Sequence, residues 1–339
     1  MPFCGECGKK YNNELNFCPH CGLPNPLIKK SEDENLKGND TGYQNTIKHS
    51  GSVYGSIRLE DIPKGFIIDE RYEVKSKLGQ GGFGAVYLVY DQKMQIDKAL
   101  KVIPEAIVND EEAMVDLQNE SRTMIALNHP NIVRVYDFHD EGKIKYIDME
   151  YVDGKTLTKI KLEHPKKQIP EDEVKVYAVK IAEGLAYAHN RNVIHKDIKP
   201  QNVMVTQQGE VKLMDFGIAE TVRNSMSRVQ NTYSSGTLVY MSPEQIKGKD
   251  IGKESDVYSF GAMLYELLSG HPPFYKGDIN YQILNVEPEK LENVSDEMNG
   301  IIMKCLEKDY EDRFRNFKDI TGFILTKKEI NVNKKNQMK

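Results

Sequence analysis

Apolar positions recur every second residue in the first part of the patterned chain, and every third or fourth residue in the later part. Tyr72–Leu78 and Ala85–Tyr90 read as strands on either side of a glycine cluster, with Lys98–Ile103 as the next strand. Asp110–Asn128 reads as a helix, because Val115, Leu117, Met124 and Leu127 repeat at helical spacing. Two further strands are predicted near Ile132–Asp137 and Tyr146–Tyr151. Beyond them helices dominate. Glu171–Asn190 carries Val174, Ala178, Ile181, Leu185 and Ala188 along one face. Ser255–Ser269 is predicted to start at a Ser/Asp cap and to end at Gly270, a C′ glycine. A strand-rich half followed by a helix-rich half predicts an α+β fold with two lobes.

Dense patterning runs from Tyr72 to near Thr326 without a second long linker. Before it, the stretch from Lys29 to Ser52 is almost devoid of apolar side chains and cannot bury enough surface to offset its chain entropy. The chain therefore divides into a small module at 1–23, a polar linker at 24–65, a large domain at 66–328 with lobes at 72–150 and 154–328, and a tail at 329–339.

The formal net charge of −5 argues against non-specific binding to nucleic acid through overall charge. There is no apolar run long enough for a membrane-spanning helix, and MPFCGECGKK lacks the basic and apolar regions of a secretory leader. The expected location is the cytoplasm, where thiols stay reduced and paired cysteines serve as metal ligands.

The glycine cluster Leu78-Gly79-Gln80-Gly81-Gly82-Phe83-Gly84-Ala85-Val86 contains G-x-G-x-x-G. Dinucleotide-binding folds use the same string, but there a helix follows the glycines, and here a strand does. A strand–turn–strand of this kind can lie as a flap over phosphates, with backbone N–H groups near the oxygens. The next strand carries Ala99, small enough to face an adenine ring, and Lys101, able to reach the α- and β-phosphates. Glu120 on the following helix is placed to hold that ammonium in orientation.

With GQGGFGAV, KALK, Glu120, MEYVDG, HKDIKPQN, DFG, GTLVYMSPE, SDVYSFG and Arg313 in this order, the chain resembles the eukaryotic-type protein kinases, especially their bacterial serine/threonine branch. The resemblance implies an antiparallel β-sheet N-lobe over a helical C-lobe, and transfer of the γ-phosphoryl group of ATP to protein hydroxyls. It makes Met149 the gatekeeper and gives the hinge Glu150-Tyr151-Val152 backbone bonds to adenine. Val86, Ala99 and Met204 would enclose the ring. A catalytically inactive scaffold of the same fold is the rival reading, and intact Lys101, Glu120, Asp197, Asn202 and Asp215 weigh against it.

Phosphoryl transfer needs in-line positioning and charge neutralisation rather than covalent help. Asp197 is placed to orient the acceptor hydroxyl and accept its proton, and Lys199 to contact the transferring phosphate. Asn202 and Asp215 offer hard oxygen ligands suited to Mg²⁺, or Mn²⁺. Phe216 is expected beside His195 and Met124. The D-x-K-x-x-N spacing and Thr237 resemble serine/threonine kinases. Glu244 is expected to pair with Arg313, and Asp256 to anchor the catalytic loop. Lys196 stands where the family usually has Arg; a point charge replaces a bidentate fork. Five hydroxyls at Ser225, Ser227, Thr232, Ser234 and Ser235 are expected autophosphorylation sites on which activity depends only partly.

Cys4, Cys7, Cys18 and Cys21 form two C-x₂-C pairs ten residues apart, resembling a short zinc ribbon, with Gly8 and Gly22 as knuckle residues. Four thiolates suit a closed structural Zn²⁺ site, and so short a module needs such a staple. A redox-active thiol pair and an iron–sulfur centre are the alternatives. The module is expected to dock a protein rather than nucleic acid. Cys305, in IIMKCLEK, reads as core.

Overall fold

The glycine-rich segment is the tip of an antiparallel hairpin. The computed structural model describes residues 59–81, 84–216 and 238–325, all within one of the two units into which the chain divides. Strand β1 (Ile67–Ile68) leads into β2 (Tyr72–Gly81), which pairs with β3 (Gly84–Asp91) in a register that ends at Gly81 opposite Gly84. A strand thus follows the glycines. Gly84 sits at φ 107°, and a Cβ there would lie 2.0 Å from the Val102 carbonyl oxygen, so only glycine lets the hairpin approach the next strand.

That strand, β4 (Ile96–Val102), precedes a short turn of helix α1 (Glu105–Val108) and helix α2 (Glu111–Ile125). Asp110 caps α2 by accepting from the Ala113 N–H at 3.0 Å. The helix buries Ala113, Leu117, Ser121 and Met124, whereas Val115 is 54% exposed. Val115 was expected on the apolar face; a helical turn of about 100° per residue from Leu117 carries it to the outer side. Strands β5 (Val135–His139) and β6 (Tyr146–Glu150) complete a six-stranded antiparallel sheet of order β1-β2-β3-β4-β6-β5. The fifth strand starts later than the predicted Ile132, which instead forms an isolated parallel bridge to Leu213.

Next come β7 (Gly154–Thr156), α3 (Leu157–Glu163) and α4 (Glu171–His189). β7 joins β8 (Val203–Thr206) and β9 (Val211–Leu213) in a small sheet that frames the catalytic loop. The helical part continues with α5 (Pro243–Ile246), α6 (Lys253–Ser269), α7 (Ile279–Asn285), α8 (Asp296–Cys305) and a helical stretch at 317–325.

Helix α6 is apolar nearly all round and is buried along most of its length, as a central core helix must be. Gly261 lets it meet α8, since a Cβ there would lie 2.5 Å from Cys305 Cβ. Cys305 itself is fully buried, and burial pushes its thiol pKa up. Gly270 ends α6 in the left-handed region at φ 88°. The predicted start at Ser255 needs correction. The helix begins at Lys253 with Gly252 as its cap, because Ser255 and Asp256 are buried and bond to other segments rather than to the first turn. Among the described residues no helix is long and apolar enough to cross a membrane.

Candidate active site

Register places the nucleotide-facing residues. Ala99 lies opposite Met149, and Val86 opposite Lys101, so these four fall on adjacent strands of the large sheet. The hinge follows directly, with Val152 buried. The Glu150 N–H donates to the Arg134 carbonyl at 2.8 Å, so a bond from Glu150 to a base would come from its carbonyl. Its carboxylate is held by Lys212 at 2.7 Å. Leu78 is exposed above the cleft, and Met204 lies on β8 opposite Lys212. Gly82 and Phe83 lie outside the described residues.

Lys101 is buried, and its Nζ lies 2.6 Å from Asp215 Oδ1. Glu120, the residue expected to hold this ammonium, lines a cavity of about 350 Å³ together with Lys196 and Ile251. Met124 and Phe216 line both that cavity and a small one of about 20 Å³ beside Lys101. Burial raises the Asp215 pKa, but Lys101 overrides it and holds the carboxyl below its usual range. Asp215 adopts φ 60° and Lys196 φ 68°, left-handed conformations held by the surrounding contacts.

The catalytic loop is pinned from below. Asp256 is fully buried and accepts from the backbone N–H groups of His195 and Lys196, each at 2.8 Å, and from His189 Nε2 at 2.7 Å. His195 Nε2 donates to the Met214 carbonyl at 2.9 Å, and its Nδ1 accepts from the Asp197 N–H at 3.3 Å. One ring nitrogen therefore carries the proton and the other does not, and complete burial lowers the pKa in keeping with that neutral ring. The Phe216 ring packs on His195 with centroids 4.4 Å apart.

Three polar side chains converge on this loop. Lys199 Nζ lies 2.8 Å from Asp197 Oδ2, and Asn202 Nδ2 donates to the same oxygen at 2.9 Å and to the Asp197 carbonyl at 2.8 Å. Both donors of the Asn202 amide are spent on Asp197, which turns its oxygen the other way. The Met214 N–H donates to the Asn202 carbonyl at 2.9 Å, tying β9 and Asp215 to the loop.

Glu244 and Arg313 form a buried fork, with NH1–Oε1 at 2.7 Å and NH2–Oε2 at 2.9 Å. Burial pushes the Glu244 pKa up, and the Arg313 bonds bring it below the usual value. Two supports escaped the sequence reading. Gln245 Nε2 donates to the Lys196 carbonyl at 3.0 Å, and Ser242 and Gln245 form a capping box on α5. The S-x-x-Q spacing was the available signal for the second. Thr237, the five activation-segment hydroxyls and Cys4, Cys7, Cys18 and Cys21 lie outside the described residues. Among the described residues no group of three His, Cys, Asp or Glu side chains is arranged to hold a metal ion.

A glycine hairpin, the Lys101–Asp215 pair, and an aspartate held by lysine and asparagine on an anchored loop are set on a six-stranded sheet followed by helices. The chain matches the protein kinase domain over residues 72–321 and belongs to that family. It is 36% identical over 260 residues to the serine/threonine-protein kinase PknB of Mycobacterium leprae, covering 73% of this chain and 41% of that protein. It is 37% identical over 262 residues to PknB of Mycobacterium tuberculosis, with 73% and 41% coverage. The chain thus matches well under half the length of these relatives. The crystal structure of the Mycobacterium tuberculosis PknI kinase domain superposes with a TM-score of 0.63 at 28% identity, covering 78% of this chain and 98% of that one.

Proposed function

We propose that this protein transfers the γ-phosphoryl group of ATP to serine or threonine hydroxyls of protein substrates. The observation that carries this reading is the convergence of Lys199 and Asn202 on Asp197, with Asp215 across the cleft against Lys101. Asp197 orients the acceptor hydroxyl and takes its proton as the new O–P bond forms. The bond between the γ-phosphorus and the bridging oxygen breaks, and ADP leaves. Lys199 and Lys101 neutralise phosphate oxygens, and the backbone N–H groups of Gly79, Gln80, Gly81 and Gly84 cover them.

The ionised Asp215 and the outward oxygen of Asn202 form a donor set that fits Mg²⁺. Bound there, the metal supplies charge neutralisation on the phosphates. Ala99, Met149 and Val152, with Val86, Leu78 and Met204, supply the apolar walls for the base.

Asp197→Asn is the decisive test. It should lower turnover by about three orders of magnitude or more while sparing nucleotide binding. Near-normal phosphorylation by that variant would remove Asp197 from the role of base. Autophosphorylation among Ser225, Ser227, Thr232, Ser234 and Ser235 belongs to the same reading; a variant with alanine at all five should retain part of its activity.

The proposal extends to the N-terminus, where the spacing of Cys4, Cys7, Cys18 and Cys21 supports a structural Zn²⁺ ribbon that docks a protein, in a reducing compartment such as the cytoplasm. Elemental analysis of the purified chain should find one zinc per molecule, lost in a Cys4→Ser/Cys7→Ser variant. Iron in its place would favour a cluster.

A further inference from the structure

The outer face of the glycine hairpin is covered by chain that precedes the kinase match. Residues 59–66 lie ahead of Tyr72, where the match to the protein kinase domain begins, yet they fold onto the sheet. Ile62 is 5% exposed and joins Val74, Ala85, Tyr87 and Val89 in one apolar cluster, with Leu59 and Phe66 packed against it. The Gly65 N–H donates to the Val74 carbonyl at 2.8 Å, and the Val74 N–H to the Phe66 carbonyl at 2.9 Å. One end of this strap is therefore bonded to β2.

The other end is held by side chains of the hairpin. Tyr87, on β3, is fully buried. Its hydroxyl donates to the Leu59 carbonyl at 3.1 Å and accepts from the Ile62 N–H at 3.0 Å. Lys77 stands directly opposite Tyr87 in the β2–β3 register, so both side chains leave the same face of the sheet. Lys77 Nζ donates to the Glu60 carbonyl and to Gln80 Oε1, each at 2.6 Å. The register shifts just beyond this pair, between Lys77 and Gly79, where the glycine tip begins. The tip has little else to fix it. β2 is exposed over residues 76–81. A cavity of about 180 Å³ is lined by Leu59 and Glu60 of the strap and by Gln80, Gly81 and Gly84 of the tip. An exposed, glycine-rich hairpin end with open space beside it belongs to the weakly held part of a fold, so its position depends on the ties at its base.

We propose that Tyr87 is a positioning residue for nucleotide binding: by clamping residues 59–62 across the base of the hairpin, with Lys77 beside it, it holds the glycine tip where it can receive the phosphates of ATP. This rests on the kinase reading above. Tyr87 alternates with Val86 along β3 and lies on the opposite face of the sheet from it, away from the base. Loss of the clamp therefore removes no contact to ATP; it lowers the fraction of chains whose tip is in place. Such a loss weakens apparent affinity and leaves turnover at saturation unchanged.

The test uses the full chain, with Mg²⁺ and a non-hydrolysable ATP analogue for Kd by calorimetry, and with Mg-ATP and a serine-containing peptide for rates. Tyr87→Phe keeps the ring but strands the Ile62 N–H and the Leu59 carbonyl. It should raise Kd for the analogue and KM for ATP about fivefold, with kcat and the peptide KM within about twofold of wild type. Ile62→Ala loosens the same strap without altering the hairpin and should shift Kd the same way, which keeps the idea testable if Tyr87→Phe fails to fold. The two together should weaken binding no more than the more severe single change, since both release one strap. Folded variants with a lowered Tm but wild-type Kd and KM for ATP would leave Tyr87 a packing role alone and overturn the proposal. So would a fall in kcat at unchanged KM. Absence of nucleotide binding by the wild-type chain would instead strike the kinase reading, and this inference with it.

Discussion

Between β4 and β6 the sheet buries an ammonium whose removal should be felt far more than its exposure to solvent would suggest. Lys98 Nζ lies 2.6 Å from Asp148 Oδ2 and 3.4 Å from Asp91 Oδ2, with side-chain exposures of 7%, 3% and 0% for the three residues. Asp91 has other support: Arg71 grips both its oxygens at 3.0 and 2.7 Å and holds its pKa well below the usual carboxylate range. Asp148 has less, with the Tyr72 hydroxyl donating to Oδ2 at 2.8 Å. Lys98→Met therefore strands one buried carboxylate, a loss of about 3–5 kcal/mol. For a domain of this size each kcal/mol moves Tm by roughly 2–4 °C, so the expected drop is about 6–20 °C. The chain has no tryptophan, so melting is best followed by far-UV circular dichroism. The companion Lys98→Met/Asp148→Asn removes both charges and keeps an oxygen for Tyr72. It should recover most of the loss, to within about 1–2 kcal/mol of wild type. A single variant melting with wild type, or a double variant melting as low as the single, would refute the reasoning.

Further outcomes follow from other sites. Gly84→Ala must displace the Val102 carbonyl and adopt φ 107°, so it should raise the KM for ATP several-fold, as read by initial rates. Asp91 and Glu244 both titrate below their unfolded values, Asp91 chiefly through Arg71 and Glu244 through Arg313 against burial. The unfolded chain then binds more protons, so the stability they contribute is present above about pH 4 and falls away as pH drops below it; melts from pH 6 to 3 check this. Burial lowers the Lys308 pKa from 10.5 to about 8. Between those values the unfolded chain again holds more protons, so stability from this group rises with pH across that window, and Lys308→Met should flatten the rise.

How much of this was legible beforehand depended on whether a signal was local. The hairpin, the capped α2 and the left-handed end of α6 follow from glycines, Asp110 and spacing within a few residues, and they form where the pattern put them. The start of α6 did not, because Ser255 and Asp256 look like caps to any local rule. Their acceptors and donors are instead spent on Glu244 and the catalytic loop, 11 and about 60 positions away in sequence. The same limit explains the charges. Nothing adjacent to Lys98 or Lys161 announces that each lies buried against a carboxylate 50 or 105 residues distant. It also explains Lys101. Residue order paired it with Glu120 and gave Asp215 to Mg²⁺, and only the folded chain shows Asp215, 114 positions away, against the ammonium.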